Sequence, residues 1–153
     1  MNNHFEQTFD DILISTNKEL LNIDVIHQYL STESYWAFGI AKKTVEKAIE
    51  NSICFGVYKN NIQIGFARMI TDKATFAYLA DVFIIKEEQG KGLGKLLMQT
   101  IHKHPDLQGL RRLLLTTRDA HTLYEEFGWQ RINDDLKGRL MTINKPNIYK
   151  YNL

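Results

Sequence analysis

Gln89-Gly90-Lys91-Gly92-Leu93-Gly94-Lys95 sets three glycines at alternate positions between a long apolar stretch, Thr75 to Ile85, and a run in which Leu93, Leu96, Leu97 and Ile101 recur at helical spacing. Glycine removes Cβ where backbone must approach a ligand, and the free N–H groups of a helix start point at the same place. Together they suit a phosphate. A P-loop is excluded, because Gly94-Lys95 is followed by Leu96 and the earlier glycine it requires is Gln89. A dinucleotide fingerprint is excluded as well, since only Leu93 separates Gly92 from Gly94. A flexible turn would account for one glycine, but poorly for three in front of a strongly amphipathic helix.

Outward from that segment the chain reads as a single domain, residues 1–153. Its 153 residues are 44% apolar and 24% charged, the balance of a globular domain. A chain of this size buries about 68 to 70% of the surface its unfolded form exposes, so one core suffices without disulfides or structural metal. Nineteen basic and eighteen acidic side chains leave a formal charge of +1. That charge provides no global field for nucleic acid or an anionic membrane, so any anion site must be local. Cys54 is the single cysteine and supplies neither an internal disulfide nor a thiolate metal site, which fits a reducing, cytoplasmic setting. The start, Met1 to Glu6, lacks a basic region followed by an apolar stretch, and no segment approaches the ~20 apolar residues of a membrane span. The chain is expected to be mature as written.

Upstream, Ile12 to Ser15 predicts a short first strand, Ile23 to Leu30 a helix, and Thr44 to Asn51 a second short helix. Ile53 to Tyr58, Ile62 to Ile70 and Thr75 to Ile85 predict an antiparallel meander, punctuated by Lys59-Asn60-Asn61 and Thr71-Asp72-Lys73. Downstream, the helix opening at the glycines stops at His104-Pro105, and Leu110 to Thr117 predicts a strand parallel to its predecessor, reached by a helical crossover. Asp119 is the expected cap of a helix from Ala120 to Phe127 that Gly128 ends. Trp129 to Ile132 and Arg139 to Ile143 predict two final strands. The class is α/β with a mixed sheet.

The glycine segment resembles the Q/R-x-x-G-x-G/A pyrophosphate-binding motif of the GNAT superfamily of N-acetyltransferases, with Gln89, Gly92 and Gly94 in the defining positions. Ala120-His121-Thr122-Leu123-Tyr124-Glu125-Glu126-Phe127-Gly128-Trp129 is similar to the family's A-x-x-L-Y-x-x-x-G-F signature, and the order of elements follows the family over nearly the whole chain. The resemblance implies a GNAT fold with about seven strands in a mixed sheet and about four helices. It also implies acetyl-CoA as co-substrate and no metal. The backbone of Val82, Phe83 and Ile84 would then pair with the pantetheine arm as an added strand pairs with a sheet edge. The N–H groups of Gly90, Lys91, Gly92, Leu93, Gly94 and Lys95 would hold the pyrophosphate. Lys91 and Lys95 would add charge there or stay solvated. Thr117 stands where the family often carries asparagine; Arg118 is adjacent.

For amide formation a neutral amine attacks the thioester, the oxyanion must be held and the thiolate must leave. By the resemblance Tyr124 is the proton donor, although a phenol of pKa ~10 is a weaker acid than a thiol of ~8.5 and would act through a hydrogen bond. Its alternative is a core tyrosine on an amphipathic helix. A backbone N–H near Ile84 would meet the oxyanion. Asp81 stands where many members carry an acidic residue; it is open to use as a base or to a structural pairing with Arg68. Glu33 is a weaker candidate. Tyr35 and Trp36, on the connection of the first two helices, and Arg68 line the acceptor site or, for Trp36, pack in the core. His102 and His104 point in different directions on their helix and share no metal, while Cys54 is expected to be a buried thiol rather than a nucleophile. The expected activity is acetyl transfer from acetyl-CoA to a primary amine of a small molecule in a ternary complex. Its alternatives are a non-catalytic acyl-CoA-binding or interaction module on the same fold and a protein amino-terminal acetyltransferase. The resemblance also admits a homodimer.

Overall fold

Asparagine tolerates the left-handed backbone better than other side chains do, and Asn60 and Asn61 both adopt it (φ 50° and 64°). They form the tight turn between β3 (Ile53–Lys59) and β4 (Ile62–Thr71), as hairpin twist requires. Asp10 (φ 54°) does the same between β1 (Glu6–Phe9) and β2 (Ile12–Ser15). Asp72 gathers the N–H groups of Ala74, Thr75 and Phe76 onto its carboxylate and so turns the chain into β5 (Phe76–Ile84). In the computed structural model, which describes residues 3–150, these five strands form an antiparallel run. β6 (Arg112–Leu115) then joins β5 in parallel, giving the order β1-β2-β3-β4-β5-β6.

Alternate residues of the central strands face opposite layers. Phe55 and Ala67 pack with Leu97, Met98 and Ile101 of α3 (Leu93–Lys103), whereas Cys54, Phe66 and Phe83 pack with Ile26 of α1 (Ile23–Gln28) and with Val45 and Ile49 of α2 (Lys42–Glu50). The sheet is therefore covered on both faces, as a buried parallel pair demands. α1 runs on into a π-helical turn, Tyr29–Glu33, whose Tyr29 ring stacks on Phe83 with centroids 4.0 Å apart. Two short helices, α4 (His121–Glu125) and α5 (Asp134–Lys137), follow β6. No helix of the described residues is long and apolar enough to cross a membrane.

Among the described residues the α/β fold has six strands in a mixed sheet and five α-helices, rather than about seven and four. β1 was not expected, because Glu6-Gln7-Thr8-Phe9 carries no apolar alternation; it is an edge strand whose Gln7 receives the buried Thr100 hydroxyl of α3. The strands expected at Trp129 to Ile132 and Arg139 to Ile143 do not form. Asn133 caps α5 by accepting the Leu136 N–H, and Asp134 and Asp135 favour its positive end, so the intervening chain coils instead. Asp119 does not cap α4: Ala120 holds that position, and Thr117 Oγ1 accepts the Ala120 N–H instead.

Candidate active site

β5 and β6 run together only from Phe76↔Arg112 to Leu79↔Leu115, after which β5 continues alone to Ile84. The cause lies on the other side of β5. Between the pairs Phe66↔Phe83 and Arg68↔Ala80 the register slips, so that Asp81 and Val82 stand opposite Ala67 alone. This is a β-bulge, with Asp81 left-handed (φ 56°), and such an insertion bends its strand and raises its twist. The wedge that opens exposes backbone. Ile85 donates its N–H to Ile64 on β4, so its neighbour Ile84 turns its own N–H and carbonyl the other way. The Ile84 carbonyl is taken by Gln89 Nε2 at 2.8 Å, and the Ile84 N–H faces the wedge.

At the end of β5 lies the glycine turn. Gly90 and Gly92 are both left-handed (φ 80°), and a Cβ at either would meet nothing within 4 Å, so both border open space. Gly92 is the N-cap of α3 and no side chain caps it, leaving the helix's first N–H groups without intrahelical acceptors. This donor set is the one an anion fits. Lys91 pairs with Glu88 at 2.9 Å and Lys95 with Glu126 at 3.3 Å; both lysines are exposed. The pairing with Lys91 draws the Glu88 carboxyl below its usual range.

Asp81 is held on both oxygens. Arg68 Nε donates to Oδ2 at 2.6 Å, Trp36 Nε1 donates to Oδ1 at 2.7 Å, and the Arg68 guanidinium continues to Ser52 Oγ at 3.1 Å. Trp36 is partly exposed rather than buried in the core and meets the Tyr35 ring edge-on at 5.1 Å. Tyr35 accepts the Arg118 N–H at 3.1 Å, and the Arg118 guanidinium lies 3.8 Å over its ring. Residues 35 and 36 thus connect Asp81 on β5 with the loop after β6. Glu33 ends the π-helical turn and is exposed. The roles of Ser52 and of the Tyr35–Arg118 contact were not foreseen: no local pattern marks a serine beyond a helix end, and Tyr35 and Arg118 are 83 positions apart.

Tyr124 is buried on α4, its ring edge toward Trp129 at 6.2 Å, and among the described residues its hydroxyl has no hydrogen-bond partner. Burial, with smaller contributions from Tyr35 and Asp119, pushes its pKa up to about 12. It is a hydrogen-bond donor that keeps its proton. Tyr78 and Thr116 join β5 to the chain just beyond β6 through their hydroxyls at 2.8 Å. Tyr124 also borders a cavity of about 750 Å³ along the far edge of β6, walled opposite by residues 127–133; no residue of the glycine turn reaches it.

The remaining titratable groups lie elsewhere. Burial raises the Cys54 thiol to about 11, as suits an inert core cysteine. His102 accepts the Trp129 indole N–H at 2.9 Å and His104 accepts the Asp106 N–H at 3.1 Å; burial lowers both imidazoles. Among the described residues no cluster of metal-ligating side chains occurs.

The sequence pattern of the acetyltransferase (GNAT) domain matches residues 50–131. A protein of Gibberella zeae named "putative acetyltransferase" is 36% identical over 86% of this chain and 87% of its own. The "uncharacterized N-acetyltransferase ycf52" of Pyropia yezoensis is 31% identical over 85% and 76%. A crystal structure from Xanthomonas campestris, described as a "putative acetyltransferase belonging to the gnat family", superposes with a TM-score of 0.88 at 43% identity, covering 93% of this chain and 99% of that one. A GNAT family acetyltransferase from Elizabethkingia anophelis with acetyl-CoA bound shares the fold at 16% identity, with a TM-score of 0.62 over 82% of this chain and 80% of that one.

Proposed function

Because the chain belongs to the GNAT family of acetyltransferases, we propose that it transfers the acetyl group of acetyl-CoA to a primary amine of a small molecule, by direct attack in a ternary complex. The observation that carries this reading is the wedge between β5 and β6, which opens at Asp81, presents the Ile84 N–H and ends at the uncapped start of α3.

The bound co-substrate supplies an activated thioester; the chain supplies position and hydrogen bonds. The backbone of Val82, Phe83 and Ile84 receives the extended arm as a further strand would, and the N–H groups of Gly90 to Lys95 take the pyrophosphate. Gln89 fixes the turn by holding the Ile84 carbonyl, which leaves the Ile84 N–H as the donor toward the oxyanion. Tyr124 offers its free hydroxyl to the departing sulfur. With a pKa near 12, the phenol stabilises the thiolate by hydrogen bonding and retains its proton.

Asp81 acts as a positioning residue. Both of its oxygens are engaged, so it fixes Trp36 and Arg68 on the acceptor side, and the amine loses its proton to water. Tyr35 and Trp36 form the wall against which the amine lies. The test is an acceptor screen that follows release of the CoA thiol across small primary amines, beside calorimetric titration with acetyl-CoA. Binding together with thiol release on one class of amine supports the reading. Absence of binding at millimolar ligand overturns it, and binding without thiol release for any amine supports a non-catalytic module.

A further inference from the structure

Among the described residues Arg118 has no counter-ion. Its guanidinium lies 3.8 Å over the Tyr35 ring, and no carboxylate or carbonyl of those residues takes one of its side-chain N–H groups. Its backbone N–H alone is bonded, to the Tyr35 hydroxyl at 3.1 Å. Stacking on an aromatic ring occupies the face of a guanidinium and leaves free the edge, where its N–H donors lie. The ring also fixes the plane of that edge, so the fork is oriented before any anion arrives. Asp119, the next residue, is exposed and does not pair with it. Arg68, the other arginine of this side, is engaged by Asp81 and Ser52.

The strands set where the free edge stands. β5 and β6 are parallel and pair last at Leu79↔Leu115, so Val82 and Arg118, each three residues further on, lie level on opposite lips of the wedge. Ile84, whose N–H faces the wedge, is two residues beyond Val82, roughly 7 Å along the strand. Tyr35 meets Trp36, which Asp81 holds, and it is close enough to Tyr124 to help raise that hydroxyl's pKa. The floor between is open. Leu113 and Leu115 pack into the core beneath α3, so Leu114 and Thr116 face the opposite layer, where Leu114 is half-buried and Thr116 exposed.

We propose that Arg118 determines acceptor specificity and that the acceptor is an amino carboxylate, a small primary amine whose own carboxylate docks on the edge of the Arg118 guanidinium. The proposal rests on the acetyl-transfer reading above and names the acceptor class for that same site. A carboxylate is planar and takes paired, parallel N–H bonds from the guanidinium fork, and one cation matches one negative charge. The short span from Arg118 to the level of Ile84 suits a compact molecule carrying its amine and its carboxylate close together. In the transfer the acceptor nitrogen forms the C–N bond, the thioester C–S bond breaks, one amine proton passes to water and CoA leaves as its thiolate. The product is the N-acetyl amino carboxylate, with its carboxylate unchanged.

Matched acceptors test it: α- and β-amino acids, their carboxamides, and aminoalkyl phosphates, each followed by release of the CoA thiol. Calorimetric titration of the CoA-bound protein with the same compounds gives a readout that needs no turnover. The wild type should favour acid over amide by at least about tenfold in kcat/KM, the worth of a charge-assisted bond. Arg118→Gln should remove that preference, with the loss seated in KM for the acid, and should abolish the calorimetric difference between acid and amide. Arg118→Lys should restore part of both, because it returns the charge without the fork. Every variant keeps the backbone N–H that Tyr35 accepts, and an unchanged melting temperature checks the fold. Thiol release at equal rates from acid and amide overturns this proposal and leaves the acetyl-transfer reading standing. Absence of thiol release with every amine overturns both. A preference for the phosphates, or a preference for the acid that survives in Arg118→Gln, also overturns it.

Discussion

Trp36 donates its indole N–H to Asp81 Oδ1 at 2.7 Å while Arg68 occupies Oδ2 at 2.6 Å, so one carboxylate ties the connection between α1 and α2 to the bulge of β5. Asp81→Asn keeps the shape and loses the charge, leaving the half-buried Arg68 without its counter-ion. We expect a stability loss of roughly 1 to 3 kcal/mol in chemical denaturation. For a positioning residue, kcat/KM should fall by the same factor at every pH and KM for the amine should rise. A rate that recovers as pH increases would instead identify Asp81 as the base, because deprotonated amine needs none.

Tyr124→Phe removes a hydroxyl that bonds no described residue, so packing and acetyl-CoA affinity should change little. Turnover should fall by about 100- to 10,000-fold, seated in kcat. In the wild type the alkaline side of the rate profile should stay level until the Tyr124 value of about 12 is approached. An unchanged mutant rate with chemistry limiting would make Tyr124 structural.

Gly92 and Gly94 separate two uses of glycine. Gly92 is left-handed (φ 80°) and faces open space, so Gly92→Ala should lower stability by about 1 kcal/mol and weaken acetyl-CoA binding in a calorimetric titration. At Gly94 an added Cβ meets only Leu123 Cδ2 at an ordinary 3.5 Å, within a helix. Gly94→Ala should therefore raise the melting temperature, corresponding to roughly 0.5 to 1 kcal/mol. Equal behaviour of the two variants in both measurements would contradict this placement of the turn.

Burial lowers the His102 imidazole, whose Nε2 must stay unprotonated to accept the Trp129 N–H. Its folded value thus lies below the unfolded value of about 6.5, so below that pH the unfolded chain binds the extra proton first. Stability from this bond is complete above the unfolded value and is lost as pH falls through it toward the folded one. The melting temperature should drop on acidification from neutral pH, and His102→Gln should flatten part of that slope. His104 is shifted in the same direction and adds to the same slope.

The meander, the crossover helix and the glycine turn were legible because each writes its period or its conformational demand into adjacent residues. Asp81 illustrates the limit. Its acid group could be read, but the left-handed bulge beneath it depends on how β4 meets β5 across 13 positions, and only Asp's tolerance of that conformation hints at it. The tail failed in the opposite way. Leu140 to Ile143 has the composition of a strand, yet a strand is a relation between two segments, and among the described residues nothing pairs with it. β1 succeeds without any pattern because β2, richly apolar, gives it a ladder to join.

One residue too many on β5 has a further meaning. Were Asp81 deleted, β4 and β5 could zip in continuous register, the strand would straighten, and its far side would be free to lie flush against β6 to the end. Such a chain would gain hydrogen bonds and lose its opening. The fold therefore keeps a mismatch of a single residue: the opening between β5 and β6 is stored as withheld pairing, and selection for stability alone would erase it.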